Sequence, residues 1–289
     1  MSRVEVLILG RGFVGGYLAE LLAATGTSYS STTTDGRDGT IVWRLADDAD
    51  SNYSALPVAS VVVVTFPLQG HAAATRLIDG YGGHWRAGAA GGSSGPRWIY
   101  LGSSRAFTEV PSNRFTTPSA SVGGLRTEAE ECIIGEHGGC VLNLVGLWGG
   151  AREPEKWGRF YTKDRLRKRI EDRSLHLIHG ADAARAICAV ATSSLGTGFP
   201  GGRWLVSDGR VYDILQIVAS DGNVHGLLAA LLEDKHVQGL LGASRVEDVP
   251  MGEHVVTQRI DSSHFWSQFG IEPRYPYAFG GADPYRPGE

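Results

Sequence analysis

Three glycines near the start of the chain, Gly10, Gly12 and Gly15, form its most specific chemical pattern. They follow an apolar run at residues 4–9 and open a segment, residues 13–24, with apolar residues at helical spacing. Gly10 permits a tight turn, Gly12 lets the backbone approach a pyrophosphate, and Gly15 lets the helix pack on the strand. Because a helix N-terminus attracts phosphate, this context predicts a dinucleotide site rather than a plain glycine turn.

The residues after the predicted second strand bear on the choice of dinucleotide. NAD sites place an acid roughly 20 residues beyond the glycines, and Asp35 lies near that distance. If the strand ends at Thr33, however, Thr33 and Thr34 occupy the acid's position, and Arg11 and Arg37 could clamp a 2′-phosphate. The arginines favour NADP over NAD, although Asp35 and Arg37 could equally be turn residues.

The elements that must position these residues alternate between strand and helix. The valine run that ends at Val64 is typical of a strand buried on both faces, and Pro67 stops it. This alternation predicts an α/β fold of the Rossmann type, a doubly wound parallel sheet with its ligand site at the carboxyl ends of the strands. The predicted strands are residues 4–9, 27–34, 40–45, 58–66, 97–102 and 141–146, with helical patterns at 13–24, 71–79 and 127–134.

The composition of the sequence changes near residue 150. We assign residues 1–150 to a dinucleotide-binding domain. Residues 151–289 form a smaller mixed region, in which part returns to the sheet and part makes a substrate-binding lobe. The charge-dense residues 151–173 predict a solvated helix and loop, because acids and bases are interleaved. Further helices are expected over 181–192, 211–219 and 227–233, a strand over 201–207, and an irregular tail from Pro273.

Bulk composition excludes several function classes. The small negative net charge of -4 over 289 residues argues against a basic surface that binds nucleic acid. Cys132, Cys140 and Cys188 are far apart, which predicts free thiols and no metal-binding spacing. The start of the chain lacks the apolar run of a signal peptide, and no stretch could span a bilayer. We therefore expect a cytoplasmic protein with a small-molecule substrate and neither nucleic-acid nor membrane partner; a homodimer is compatible with the sequence.

The chain resembles the extended and atypical short-chain dehydrogenase/reductases, the epimerase/dehydratase-like group. The glycine loop, the strand end Val64-Thr65-Phe66-Pro67, and the runs at residues 100–107 and 178–187 carry the resemblance, which covers most of the chain. It implies an NAD(P)-binding protein, in the first place an NADP-dependent oxidoreductase acting on a small organic carbonyl compound. The expected cofactor contacts are Gly10, Arg11, Gly12, Phe13, Val14, Gly15, Thr33, Thr34, Arg37, Thr65, Phe66 and Pro67.

The same resemblance implies catalytic positions, and here the chain departs from the pattern. The family's serine-rich strand end presents a hydroxyl to the reacting oxygen; Ser103 matches it, with Ser104 as its neighbour, although both could merely cap backbone groups. The family's main catalyst is a Tyr followed four residues later by Lys. Aligning Glu130 with the family's helix acid places Val122 at the Tyr position and Arg126 at the Lys position. The expected catalytic residues are therefore Ser103, Ser104 and Arg126.

Val122 has no titratable proton, so the standard acid–base step cannot run there. The glycine spacing also departs from the extended enzymes, which would need glycine at Leu9. Both departures leave two alternatives open. One is a non-redox isomerase, cyclase or lyase on the same scaffold, and the other is a nucleotide-sensing regulatory protein.

Aromatic and basic residues after other strand ends are candidates for the substrate site. Such a set suits a planar or anionic organic substrate, although for any single member packing of the aromatic or solvation of the cation is the better explanation. Asp182 is interpreted as a helix N-cap rather than a catalyst. The candidates are Tyr81, His84, Trp85, Trp148, Lys156, Trp157, Arg159 and Tyr161.

Overall fold

The computed structural model describes residues 2–46, 52–88, 95–193, 201–252 and 255–286. The strands of this part of the chain are β1 (Arg3–Leu9), β2 (Tyr29–Thr33), β3 (Ile41–Val42), β4 (Val58–Val64), β5 (Arg97–Ser103), β6 (Cys140–Leu144), β7 (Gly146–Trp148), β8 (Ser174–Leu175), β9 (Leu177–His179), β10 (Gly202–Val206) and β11 (Tyr212–Asp213). The helices are α1 (Phe13–Ala24), α2 (His71–Gly88), α3 (Ala120–Gly123), α4 (Leu125–Gly135), α5 (Lys163–Glu171), α6 (Gly180–Thr192), α7 (Ile214–Val218), α8 (Gly222–Leu231), α9 (Lys235–Leu241) and α10 (Ser263–Phe269).

The centre of the described chain is a seven-stranded parallel sheet in the order β10-β6-β5-β4-β1-β2-β3. This confirms the predicted doubly wound α/β fold. The chain reverses its winding direction beside β1, which pairs with β2 on one side and β4 on the other. Such a reversal opens a crevice at the carboxyl ends of the strands, where ligands of this architecture bind.

Alternate residues of β1 and β4 enter two hydrophobic layers. Ile8 and Val63 pack with α1 and α6 on one face, whereas Leu7 and Val62 pack with α2 and α4 on the other. All four side chains are fully buried. Helices on both faces therefore explain why the last four residues of each strand are apolar at consecutive positions instead of at every second one.

The region after residue 150 contributes to the sheet and to a separate hydrophobic cluster. β10 returns to the sheet beside β6. Residues 151–173 are not merely solvated, because Leu166 and Ile170 on α5 are buried against α7 and α8. The helix predicted over 211–219 begins only at Ile214: Asp213 accepts the Leu215 backbone N–H at 3.0 Å, and this cap follows a short strand. The spacing did not predict α10, which is only seven residues long.

Asp182 anchors the tail instead of capping α6, which corrects the interpretation from sequence. The cap is His179, whose Nδ1 accepts the Ala181 backbone N–H at 3.1 Å. The buried Asp182 carboxylate accepts backbone N–H groups of Arg274 at 2.9 Å and Tyr275 at 2.8 Å. No helix among the described residues is long and apolar enough to cross a bilayer.

Candidate functional site

The glycine loop is held between the ends of three neighbouring strands. The Gly10 N–H donates to Thr32 Oγ1 at 3.0 Å, and the Arg11 N–H donates to the Thr32 carbonyl at 2.7 Å. From the other side, the Thr65 hydroxyl donates to the Leu9 carbonyl at 3.2 Å and also contacts the Gly10 carbonyl. The loop is thereby fixed at the reversal of the sheet before any ligand arrives.

The three loop glycines are required for different reasons. Gly10 has a φ of +97°, and a Cβ on Gly15 would lie 2.5 Å from the Gly10 carbonyl oxygen, so the chain's own geometry demands both. Gly12 is different, since a Cβ there would meet no described atom within 4 Å. No side chain of the described residues caps α1, and no acid lies in its first turn. Gly12 is the residue immediately before α1, so the open space lies at the uncapped start of this helix, the kind of place where an anion binds.

The side chains of Phe13 and Val14 point away from this open space. Val14 is buried in the core. The Phe13 ring packs edge-on against Tyr17 at 5.3 Å, and the Arg152 guanidinium lies 4.2 Å from its centroid. Phe13 and Val14 can therefore offer a ligand only their backbone N–H groups.

The edge of the loop beside β2 carries the groups that bear on a 2′-phosphate. β2 ends at Thr33, whose hydroxyl accepts the Gly36 N–H at 2.9 Å. The Asp35 carboxylate pairs with Arg37 at 3.0 Å, and a hydrogen bond from the Thr33 hydroxyl is the largest cause holding the pKa of Asp35 below its usual value. The Arg11 guanidinium donates to the Asp38 carbonyl at 3.1 Å and, among the described residues, pairs with no carboxylate.

The remaining predicted cofactor contacts fall into two groups. Thr65 and Phe66 lie against the loop: a Cβ on Gly10 would come within 2.8 Å of Thr65 Oγ1 and 3.1 Å of the Phe66 ring. Thr34 and Pro67 are exposed beyond the ends of β2 and β4. The structure therefore places the predicted set at the ends of β1, β2 and β4 and in the segments that follow them, the start of α1 and the turn at Arg37.

Ser103 and Ser104 line a cleft of about 540 Å³ at the carboxyl ends of β5 and β6. Ser103 Oγ accepts the Arg105 backbone N–H at 3.3 Å, so it caps the turn that follows β5. Ser103 also lines the cleft, and its hydroxyl can still donate its own hydrogen to a ligand there. Capping and substrate contact are therefore compatible at Ser103.

A buried ionic network supports Ser103 from behind. Glu130 Oε1 accepts the Ser103 backbone N–H at 3.3 Å, and Asn143 Nδ2 donates to Glu130 at 2.9 Å. Arg203 pairs with Glu130 and donates to Asn143 Oδ1 at 3.0 Å. A Cβ on Gly102 would lie 2.4 Å from Asn143 Nδ2. The glycine before Ser103 therefore makes room for this network.

The residues at the family's Tyr and Lys positions do not share one helix. Val122 is 46% exposed on α3, and Arg126 lies on α4. Gly124, with a φ of +54°, interrupts the helix between them. Arg126 does not line the cleft; its guanidinium lies beside the buried Tyr100, where it partly opposes the rise in the Tyr100 pKa that burial causes. Arg126 is therefore not brought together with Ser103 and Ser104.

Three arginines give the cleft its charge. Arg105, Arg169 and Arg259 line it, and the one carboxylate among the described lining residues is Asp172, 3.5 Å from Arg259. Arg105 and Arg169 have no carboxylate partner in the described chain. The signal for Arg169 lay within the charge-dense residues 151–173, but nothing in the sequence singled out Arg259.

His176 also lines the cleft, but both of its ring nitrogens are engaged. Nε2 accepts backbone N–H groups of Arg259 at 3.2 Å and Ile260 at 3.3 Å, and Nδ1 lies 2.8 Å from the Arg210 carbonyl. Burial lowers the pKa of His176. The ring is therefore a neutral structural link and has no nitrogen left for proton transfer.

The aromatic candidates from the sequence are divided between the cleft and the core. Trp157 lines the cleft. The prediction that Tyr81, His84 and Trp85 belong to the substrate site is wrong. The Tyr81 hydroxyl and Trp85 Nε1 bond to the backbone of Ala59, near the start of β4. α2 runs for 18 residues. Its length carries these three side chains to the amino-terminal ends of the strands, away from the carboxyl ends where the cleft lies.

The other four candidates do not line the cleft around Ser103. Trp148 is buried against His179 and Tyr277. Lys156 pairs with Glu153 at 2.7 Å, and the Arg159 guanidinium lies 4.7 Å from the Phe160 centroid. Tyr161 packs on the hydrophobic cluster that follows residue 150.

Comparison with known proteins rests on structure. No family model and no curated protein matches the sequence. The chain superimposes on a protein assigned as an NAD-dependent epimerase/dehydratase from Methylobacillus flagellatus, with a TM-score of 0.62, 16% identity, and coverage of 95% of this chain and 94% of the other. The fold is that of the NAD(P)-dependent epimerases and reductases.

Two further solved structures are similar to this chain over nearly their whole length. The UDP-N-acetylglucosamine 4-epimerase from Bacillus cereus gives a TM-score of 0.59 at 15% identity, covering 94% of each chain. A yeast methylglyoxal/isovaleraldehyde reductase complexed with NADPH gives 0.54 at 15% identity, covering 93% of each chain. This is the fold that the resemblance to the extended and atypical short-chain dehydrogenase/reductases implies.

Proposed function

We propose that this protein binds NADP(H) at the glycine loop and acts as an oxidoreductase on a small, anionic carbonyl compound in the cleft beside Ser103. The observation that carries the proposal is the open space at Gly12, which faces the uncapped start of α1 at the reversal of the sheet. Structural neighbours support a nicotinamide dinucleotide: one was solved with NADPH and another with UDP-glucose and NAD.

The preference for NADP rests on Arg11. Its guanidinium lies at the β2 edge without a carboxylate partner, so a 2′-phosphate would supply the missing negative charge. Arg37 is a weaker ligand, because Asp35 already neutralises it. NAD is the alternative, in which Asp35 would leave Arg37 and bind the ribose hydroxyls.

The chain's own residues suit the carbonyl end of the reaction. A bound nicotinamide would supply or accept a hydride. Ser103 would donate its O–H to the substrate's carbonyl oxygen. The buried network bonds to the Ser103 backbone N–H and so holds the residue that carries this hydroxyl in place. Arg105 and Arg169 would hold a carboxylate or phosphate group, which is why we propose an anionic substrate. The proton would come from water in the cleft.

One observation favours a second candidate, a nucleotide-sensing protein or a non-redox isomerase, cyclase or lyase. No tyrosine is among the described residues that line the cleft, and the break at Gly124 separates the positions of the family's catalytic pair. In this case the cofactor would bind without turnover of a carbonyl substrate.

A two-stage experiment separates these functions. NADPH and NADH are titrated against the pure protein, with tryptophan fluorescence and melting temperature as readouts. NADPH oxidation is then followed with pyruvate and 2-oxoglutarate, and methyl pyruvate serves as the uncharged control. We expect tighter binding of NADPH and turnover of the acids but not of the ester. Binding without turnover of any compound would favour the second candidate, and binding of neither nucleotide would contradict both.

A further inference from the structure

A second group of side chains that could bind a ligand lies outside the cleft, on the paired helices α2 and α4. His71 begins α2, and Cys132 and Glu136 lie at the end of α4. A ring nitrogen of His71, the Cys132 sulfur and a Glu136 carboxylate oxygen all lie within 4.8 Å of one another. Neither the cofactor loop nor the cleft uses any of the three.

Helical spacing on both elements directs these groups to one place. Cys132 and Glu136 are four residues apart, so they share a face of α4. On α2, Thr75 lies four residues after His71, and its hydroxyl is 3.3 Å from His71 Nδ1 and 3.5 Å from Cys132 Sγ. Thr75 thereby fixes the imidazole through Nδ1 and leaves Nε2 directed at Glu136, a common arrangement for a metal-binding histidine.

The contact between His71 and Glu136 joins an imidazole nitrogen to a carboxylate oxygen. His71 Nε2 and Glu136 Oε1 are closely apposed; the carboxylate oxygen accepts, and the ring nitrogen either donates an N–H or offers a lone pair. Either a proton or a cation must lie between them. The nearby sulfur of Cys132 adds a ligand that a simple ion pair would not need, and thiolate, imidazole and carboxylate together form a donor set that zinc accepts.

We propose that His71, Cys132 and Glu136 form a zinc site, with water in the fourth position. Binding would displace the Cys132 thiol proton to solvent, so that the sulfur coordinates as thiolate. The ion would tie the start of α2 to the end of α4, two helices that cover the same face of the sheet. Cysteine spacing could not indicate this site, because its ligands are brought together only by the packing of two distant segments.

Zinc affinity and a cobalt spectrum test the proposal on the full chain. The protein is stripped with a chelator and then titrated with Zn²⁺ in competition with a chromophoric chelator, and Co²⁺ is added separately to detect a thiolate-to-cobalt absorption band. We expect one zinc per chain and a cobalt–thiolate band. Because even residues around a metal's ligands contribute about 10–100-fold to affinity, His71→Gln and Cys132→Ser should each weaken zinc binding by at least about that factor.

Matched variants keep the test decisive. Cys188→Ser changes a distant cysteine and His236→Gln changes a distant exposed histidine; both should leave zinc affinity unchanged. Cys132 is buried, so its loss could disturb folding, but the His71 side chain is 54% exposed and its replacement removes no core packing. A wild-type chain that fails to compete for zinc, or a His71→Gln variant of unchanged affinity, would overturn the proposal. NADPH binding by the stripped protein tests the cofactor site independently.

Discussion

The two proposed ligand-binding regions of the molecule differ in how they are built. At the ends of β1, β2 and β4, the proposed cofactor binding would depend on the backbone: a glycine loop, an uncapped helix and the open space at Gly12. At the end formed by β5 and β6, function depends on single side chains, and Val122 stands where the family has its tyrosine. A backbone site tolerates sequence change around it, whereas one substitution removes a proton donor. The proposed nucleotide binding therefore has firmer structural support than the proposed reaction.

The largest effect is expected from Arg203→Met, which acts on the substrate end alone. It leaves the Glu130 carboxylate, 2% exposed, buried without its cation. Breaking a buried ion pair on one side costs about 3–5 kcal/mol, and chemical denaturation should show a loss of that size. Glu131→Gln is the control, because Glu131 pairs with Arg203 from a 60% exposed position and its loss should cost under about 1 kcal/mol. Equal losses in both variants would contradict the account of the network.

Gly15→Ala should have the next largest effect, at the cofactor end. The new methyl group would lie 2.5 Å from the Gly10 carbonyl oxygen, an overpacking expected to cost about 1–3 kcal/mol in free energy of unfolding. Gly12→Ala, in the same loop, should change stability by under about 0.5 kcal/mol, because its methyl group meets nothing. If the two variants lose the same free energy of unfolding, the claim that Gly15 is needed for packing and Gly12 is not would be wrong.

Arg11→Ala tests the cofactor preference. Loss of one charged hydrogen bond to a 2′-phosphate costs about 1.5–3 kcal/mol, so NADPH affinity should fall at least about tenfold while NADH affinity stays the same. Arg37→Ala should have a smaller effect, since Asp35 already pairs with Arg37. Isothermal titration with both nucleotides measures the difference. Equal weakening of NADPH and NADH by Arg11→Ala would argue against a phosphate contact.

The smallest effect is expected from restoring the family's catalytic pair. In the double variant Val122→Tyr with Arg126→Lys, the break at Gly124 still separates the two residues, so NADPH oxidation with pyruvate should stay near the wild-type rate. Val122→Phe with Arg126→Lys controls for the ring. A gain of about a hundredfold for tyrosine alone, the contribution of a positioned general acid, would show that the pair's geometry survives.

The sequence predicted the parts of this molecule that depend on local pattern. The buried valines of β4 and the Gly10 turn follow from hydrophobic runs and backbone geometry, which neighbouring residues determine. The cleft did not follow, because Arg169 and Arg259 meet only through the packing of the region after residue 150. The true length of α2 was also missed; its second half contains four glycines, which weaken the helical pattern.

NADPH binding by Gly12→Val, measured beside its melting temperature, tests the central claim most directly. Apart from its chain neighbours, a Cβ at this position would meet no described atom within 4 Å, so we expect the variant to fold and to keep a melting temperature close to that of the wild type. It should nevertheless lose NADPH binding, because the pyrophosphate needs the same space. A wild-type protein that binds no NADPH, or a Gly12→Val variant that binds it as tightly as the wild type, would contradict the assignment of this loop to the cofactor.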